Sequence, residues 1–201
     1  LWDIDADGDL DVVTAGNNAI RGYLNNGTGT FSSAVSLVTS VLARNVIMTD
    51  IDGDNVKDLL YITSTPYQVV YKKALGGGSF GSALVIDNLA GYIASITAGD
   101  FNNDTKTDLT INYDHGIYLL INQGGGIFAP REYATYVQSA LGSTKMADVD
   151  SDGDKDLLHS ASVESRISWN ENKFNECMTK RVTINDTICS SESYLFNGNV
   201  L

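Results

Sequence analysis

Four stretches of the sequence place carboxylates at alternate positions: "DIDADGDLD" at 3–11, "DIDGDNVKD" at 50–58, "DFNNDTKTD" at 100–108 and "DVDSDGDKD" at 148–156. Two carboxylates ~4 Å apart repel by about 1 kcal/mol in water and by about 4 at the effective dielectric of a protein surface. Gathering several in one turn therefore calls for a cation. Oxygen-only donors suit a hard one, and Ca²⁺ takes six to eight oxygens at roughly 2.3–2.6 Å in irregular geometry. Mg²⁺, which keeps a strict octahedron and several waters, suits the pattern less.

Written as D-x-D-x-D-G-x-x-D, each stretch offers side-chain oxygens at positions 1, 3, 5 and 9 and a backbone carbonyl at position 7. Position 6 is a turn where positive φ favours Gly. The expected ligands of the first loop are Asp3, Asp5, Asp7 and Asp11, with Gly8 at the turn. Those of the second are Asp50, Asp52, Asp54 and Asp58, with Asn55 replacing Gly. Those of the third are Asp100, Asn102, Asp104 and Asp108, and those of the fourth are Asp148, Asp150, Asp152 and Asp156. Backbone carbonyls are expected from Asp9, Val56, Lys106 and Asp154, and the Asp9 side chain is expected to face solvent. Up to four Ca²⁺ follow. The third site is expected to be weakest, because Asn102 carries no charge and β-branched Thr105 disfavours positive φ. Four, four, three and four carboxylates make 15 of the 25 acidic residues. Four bound ions would bring the net charge from −12 to about −4.

The elements that must position these loops repeat with them. Asp3, Asp50, Asp100 and Asp148 are 47, 50 and 48 residues apart, a period that signals an array or propeller. Each loop runs into a β-like segment ("LDVVTA", "LLYITS", "LTINY", "LLHSAS"). A second one follows ("GYLNN", "QVVYKK", "IYLLIN", "RISWN"), then a Gly/Asn turn and a phenylalanine: Phe31, Phe80, Phe128 or Phe174. The phenylalanines, with Tyr23, Tyr71 and Trp169, read as packing residues. About four short strands per unit predict an all-β fold, a β-propeller fragment of about four four-stranded blades. An EF-hand is excluded, because its position 12 would hold Glu where Thr14, Tyr61, Ile111 and His159 stand, and its flanks would be helices.

These motifs resemble the FG-GAP/VCBS repeat family, the blades of integrin-α-like β-propellers, over residues 1–175. The resemblance implies that each acidic loop joins the first two strands of a blade and binds Ca²⁺. It also implies that "NNGTGTF" is the family's N-x-G-x-G-x-F turn. Such propellers usually have seven blades, so the chain reads as a fragment of a larger multidomain protein, with the first unit lacking its inner strand. Trp2 stands where the other units have Thr49, Gly99 and Ala147, and is expected to pack differently at that edge. Residues 176–201 look like a linker and the start of a truncated Cys-containing β-module. Cys177 and Cys189 could pair, stay as thiols or bond elsewhere.

Composition excludes some functions. The net charge of −12 argues against nucleic acid and anionic membrane surfaces. No apolar run approaches the ~20 residues of a membrane span. "GGGSFG" and "QGGGIF" lack the Lys-Ser/Thr of a phosphate loop. His115 and His159 lie in different units and read as structural. The sequons at Asn26, Asn103 and Asn185 read as chance, the second lying inside a metal loop. The leading expectation is a non-catalytic, calcium-stabilised segment of an extracellular or cell-surface protein, serving adhesion or protein–ligand recognition. The alternative is a carbohydrate-binding (lectin-like) or polysaccharide-processing propeller.

Overall fold

Short runs of β-branched and aromatic residues between Gly, Asn and Asp turns give strands, and no helix, among the described residues. The computed structural model describes residues 2–136, 142–161, 166–172 and 185–187. They fall into two compact units, 1–90 and 91–201.

In the first unit, β1 (Val12–Tyr23), β2 (Val35–Thr49), β3 (Asp58–Ser64), β4 (Tyr67–Lys72) and β7 (Leu84–Asn88) form one antiparallel sheet in that order. A small hairpin, β5 (Ala74–Gly76) and β6 (Ser79–Phe80), stands apart from it. The expected separate four-stranded blades are therefore not seen here. The 15-residue β2 pairs with β1 through its first half and with β3 through its second, so two repeats share one sheet. Positive φ at Ser40 and Asn45 and register shifts bend this strand without breaking it. Ahead of β1, Trp2 forms an isolated antiparallel bridge with Asp11. Trp2 packs on Phe80, ring centroids 6.0 Å apart. The core gathers Ile20, Ala43, Leu59, Tyr61 and Val70. In β3 the first six residues are all buried, the mark of a central strand covered on both faces. Phe31 departs from the packing role expected of it, being 46% exposed.

The second unit keeps the expected pattern. β8 (Ile93–Gly99), β9 (Asp108–Tyr113), β10 (Gly116–Leu120) and β13 (Glu132–Tyr136) form one four-stranded sheet, with the hairpin β11 (Asn122–Gly124) and β12 (Ile127–Phe128) beside it. β14 (Thr144–Ala147), β15 (Asp156–Ala161), β16 (Arg166–Asn170) and β17 (Asn185–Thr187) form another. Asn185–Thr187 pair with β16 at the edge of this sheet. Phe174, Cys177 and Cys189 lie outside the described residues. Ile117, Leu119, Phe101 and Ala134 pack with Leu157 between the two sheets. Beyond this apolar patch, Thr97 Oγ1 donates to Thr144 O at 2.5 Å and Asn112 Nδ2 to Gly142 O at 3.0 Å. His159 is buried. Its Nε2 meets Asn170 Oδ1 at 3.1 Å, Nδ1 has no partner, and burial lowers its pKa.

Candidate metal-binding loops

Each acidic loop enters a strand (β1, β3, β9 or β15), and the last aspartate of the motif ties the turn down. Asp11, Asp58, Asp108 and Asp156 are all 0% exposed. One oxygen of each accepts the amide of the loop's second residue: Ile4 (2.6 Å), Ile51 (2.9 Å), Phe101 (3.0 Å) or Val149 (2.8 Å). The other accepts an amide just past the neighbouring strand: Asn25 (2.7 Å), Ala74 (2.8 Å), Asn122 (2.7 Å) or Asn172 (2.7 Å). This is a staple between loop start and hairpin start, made four times. Asparagine strengthens it in three repeats. Asn25, Asn122 and Asn172 donate their side-chain amides to Leu10 O, Thr107 O and Lys155 O. Ala74 has no amide to do so. Asn172 Nδ2 also reaches Phe101 O at 2.8 Å, linking the last two repeats. Position 9 is thus a structural clamp as well as a candidate ligand.

Backbone amides curl each loop around its own acids. Position 1 accepts two amides in the first three loops and one in the fourth: Asp7 and Gly8 on Asp3, Gly53 and Asn55 on Asp50, Asp104 and Thr105 on Asp100, Gly153 on Asp148. Position 5 accepts the position-7 amide in every loop, at 2.8–3.1 Å. Position 6 has the expected positive φ: Gly8 97°, Asn55 66°, Thr105 69° and Gly153 96°. Position 4 has it too, at Ala6 63°, Gly53 86°, Asn103 58° and Ser151 67°, of which Ala6 and Ser151 carry no signal of it in residue type. At position 6 of the third loop, β-branched Thr105 stores of order 1–3 kcal/mol of strain. Thr105→Gly is therefore expected to raise the melting midpoint by about 2–4 °C in chelator; a lower midpoint on thermal scanning would contradict the strain.

The convergence differs among loops. One oxygen each from Asp3, Asp5 and Asp11 lies within 4.8 Å of the others, as do those of Asp50, Asp52 and Asp58, and of Asp148, Asp150 and Asp156. That separation is about twice a Ca²⁺–oxygen bond, so one hard cation could touch all three. The donor set is oxygen only, and Asp52 Oδ1 is buried with no hydrogen-bond partner. The residues thus fit a calcium ion. Asp7 and Asp54, expected as ligands, are outside the convergent sets. So are Asp100, Asp104 and Asp108, and no such set among the described residues includes the third loop. Lysines account for part of this. Lys73 Nζ sits on Asp52 and on Asp54 (2.8 Å to Asp54 Oδ2), and Lys106 Nζ on Asp104 at 2.7 Å. The fourth loop gains a member the motif does not contain. Glu171 converges with Asp150 and Asp152. Only its chain position, one residue before the stapled Asn172, could have drawn attention to it.

One expectation at position 7 also changes. Asp9 does not simply face solvent: a Cβ on Gly27 (φ +77°) would lie 2.5 Å from Asp9 Oδ2, so the hairpin tip rests on this carboxylate. Asp154 is 2% exposed, with its Oδ1 unpartnered. Burial, then Asp152, Asp156 and Asp150, push its pKa up to about 7. Burial likewise raises Asp58, Asp108 and Asp156, against their stapling amides. The lysine contact pulls Asp54 below the usual carboxylate value. At Asp104 burial opposes the lowering, but the Lys106 bonds prevail.

In the second unit Asn103 Nδ2 reaches Gly153 O at 3.5 Å.

Residues 3–61, 50–111 and 100–159 each match a family described as FG-GAP-like repeat. No curated protein matches the sequence. Among solved structures, a lectin of Agrocybe aegerita, described as recognising non-reducing terminal N-acetylglucosamine, is similar at TM-score 0.63 and 19% identity. The match covers 98% of this chain and 51% of the lectin, so the chain spans about half that protein's length. The Tc holotoxin pore of Photorhabdus luminescens is similar at TM-score 0.55 and 19% identity, over 88% of this chain and 9% of the toxin chain.

Proposed function

The chain belongs to the FG-GAP-like repeat family, and from that premise we propose that it is a non-catalytic, calcium-stabilised propeller segment that recognises an extracellular protein ligand. The repetition of the stapled acidic loop carries this reading. A reaction centre needs one asymmetric constellation of acid, base or nucleophile. What recurs here four times is one closure device, with carboxylates spent on amides, lysines and a cation. Calcium at millimolar levels outside cells suits loops of this charge, since extracellular modules bind it at about 10⁻⁴–10⁻³ M. No helix among the described residues is long and apolar enough to cross a membrane.

A second reading, glycan binding, has its own observation. Tyr133 is 42% exposed, packs edge-on against Tyr118 at 5.5 Å, and Arg131 lies over the Tyr118 ring at 5.9 Å. Exposed tyrosine beside a cation and hydrogen-bonding groups suits a sugar face, and the fold is shared with a lectin. Binding to panels of immobilised extracellular protein domains and of glycans, in calcium and in chelator, separates the two. The leading reading expects a saturable, calcium-dependent protein partner and no glycan. A saturable glycan signal lost in Tyr133→Ala would establish the second. Silence on both panels would count against recognition.

A further inference from the structure

One backbone position faces the same pair of acids in two different repeats. It is the residue directly before the stapled amide: Leu24, Lys73, Ile121 or Glu171. In the second repeat Lys73 Nζ contacts Asp52 and Asp54, positions 3 and 5 of its loop. In the fourth repeat Glu171 offers an oxygen within 4.8 Å of Asp150 and Asp152, again positions 3 and 5. The staple explains the coincidence. Clamping residue 74 or 172 to the last aspartate fixes the preceding side chain over the mouth of the loop. Opposite charges at one place must then act oppositely. An ammonium between two carboxylates supplies the positive charge a cation would bring, and occupies its oxygens. A further carboxylate adds both negative charge and a ligand. Tyr71 OH also reaches Asp52 Oδ2, at 3.4 Å, beside the lysine. Both loops keep one buried carboxylate oxygen without a hydrogen-bond partner, Asp52 Oδ1 in the second and Asp154 Oδ1 in the fourth.

We propose that the residue before the staple sets whether a loop takes a divalent cation: Lys73 fills the second loop with its own ammonium, and Glu171 adds a protein ligand to the fourth. The proposal rests on the calcium reading of the loops. It divides them by kind. The second is closed by an internal cation and takes metal only by displacing Lys73. The fourth is the most metal-avid. Leu24 and Ile121 leave the first and third loops to their own aspartates, and Lys106 neutralises part of the third from within it.

The test combines calcium titration by calorimetry with thermal melting in calcium and in chelator, on the wild type and on Lys73→Met, Lys73→Arg and Glu171→Gln. Lys73→Met is expected to melt lower in chelator, where its four aspartates lose their counter-charge. In calcium it should regain or pass the wild-type midpoint, with one site about fivefold or more tighter. Lys73→Arg should keep the wild-type isotherm. Glu171→Gln should weaken the tightest site about fivefold without lowering the midpoint in chelator. A lysine that merely packs its stem would lower both midpoints equally and leave the isotherm unchanged, and that result overturns the proposal for Lys73. An unchanged tightest site in Glu171→Gln overturns it for Glu171, and this arm stands if Lys73→Met does not fold. Failure of the calcium reading itself shows separately, as a wild type whose midpoint ignores calcium. A calcium-induced gain in Lys73→Met would support the lysine's role even then.

Discussion

Replacing Asp108 by alanine is expected to destabilise the protein by about 2–5 kcal/mol. Its carboxylate is fully buried and accepts the amides of Phe101 at 3.0 Å and Asn122 at 2.7 Å. Truncation leaves both N–H groups without their partner, and a buried donor so stranded costs about 1–3 kcal/mol. The third repeat is the place to measure this, because its carboxylates form no convergent set and metal loss confounds the result least. Asp108→Asn keeps one acceptor and turns an NH₂ towards the other donor, so an intermediate loss is expected. Chemical denaturation in chelator measures both. A loss below about 1 kcal/mol for Asp108→Ala would mean that the staple is replaceable by water.

Withdrawing calcium has an effect of similar size and a distinctive pH signature. A ligand that binds only the folded state stabilises it by about 2.7 kcal/mol per site at a hundredfold excess over Kd. Two well-formed loops would thus lower the midpoint on the order of 10 °C when emptied, at about 2–4 °C per kcal/mol for a chain of this size. Without metal, burial raises Asp58, Asp108, Asp154 and Asp156 above the unfolded value of 3.8. Groups so raised contribute stability that is present below the unfolded pKa and is lost as pH rises through the folded one. In chelator the protein should therefore become more stable as pH falls from 7 towards about 4. Asp54 and Asp104 are lowered, so their contribution is lost only below 3.8. With calcium bound the slope reverses, because protons compete with the metal for the same oxygens. Melting curves across this range in both solutions check the account, and slopes of equal sign would contradict it.

Much of this was legible in the sequence because it repeats. One acidic loop is a common polar turn; four at a near-constant spacing fix where the strands lie, and the structure places β1, β3, β9 and β15 directly after them. Positive φ at Gly8, Asn55 and Gly153 follows from residue type. Ala6 and Ser151 carry no such signal, since the closing hydrogen bonds of the loop, rather than residue preference, hold them there. The dual role of Asp11, Asp58, Asp108 and Asp156 was hidden, because a ligand and a staple call for the same residue. Lys73 and Glu171 were hidden for another reason: they reach the loops through strand pairing, from 19 or more residues away in sequence to Asp54 and Asp150. The shared sheet of the first two repeats was not legible either. β2 pairs with β1 through its first half and with β3 through its second, and such pairing between separate segments is not visible in local residue types.

The most direct test is to see the ions. Crystals of the protein grown with calcium, measured at a wavelength where calcium scatters anomalously, would show each bound ion and its ligands. The account predicts peaks among Asp3, Asp5 and Asp11 and among Asp148, Asp150 and Asp156, with Asp156 still holding the amides of Val149 and Asn172. Ordered loops with no peak in either place, at millimolar calcium, would contradict it.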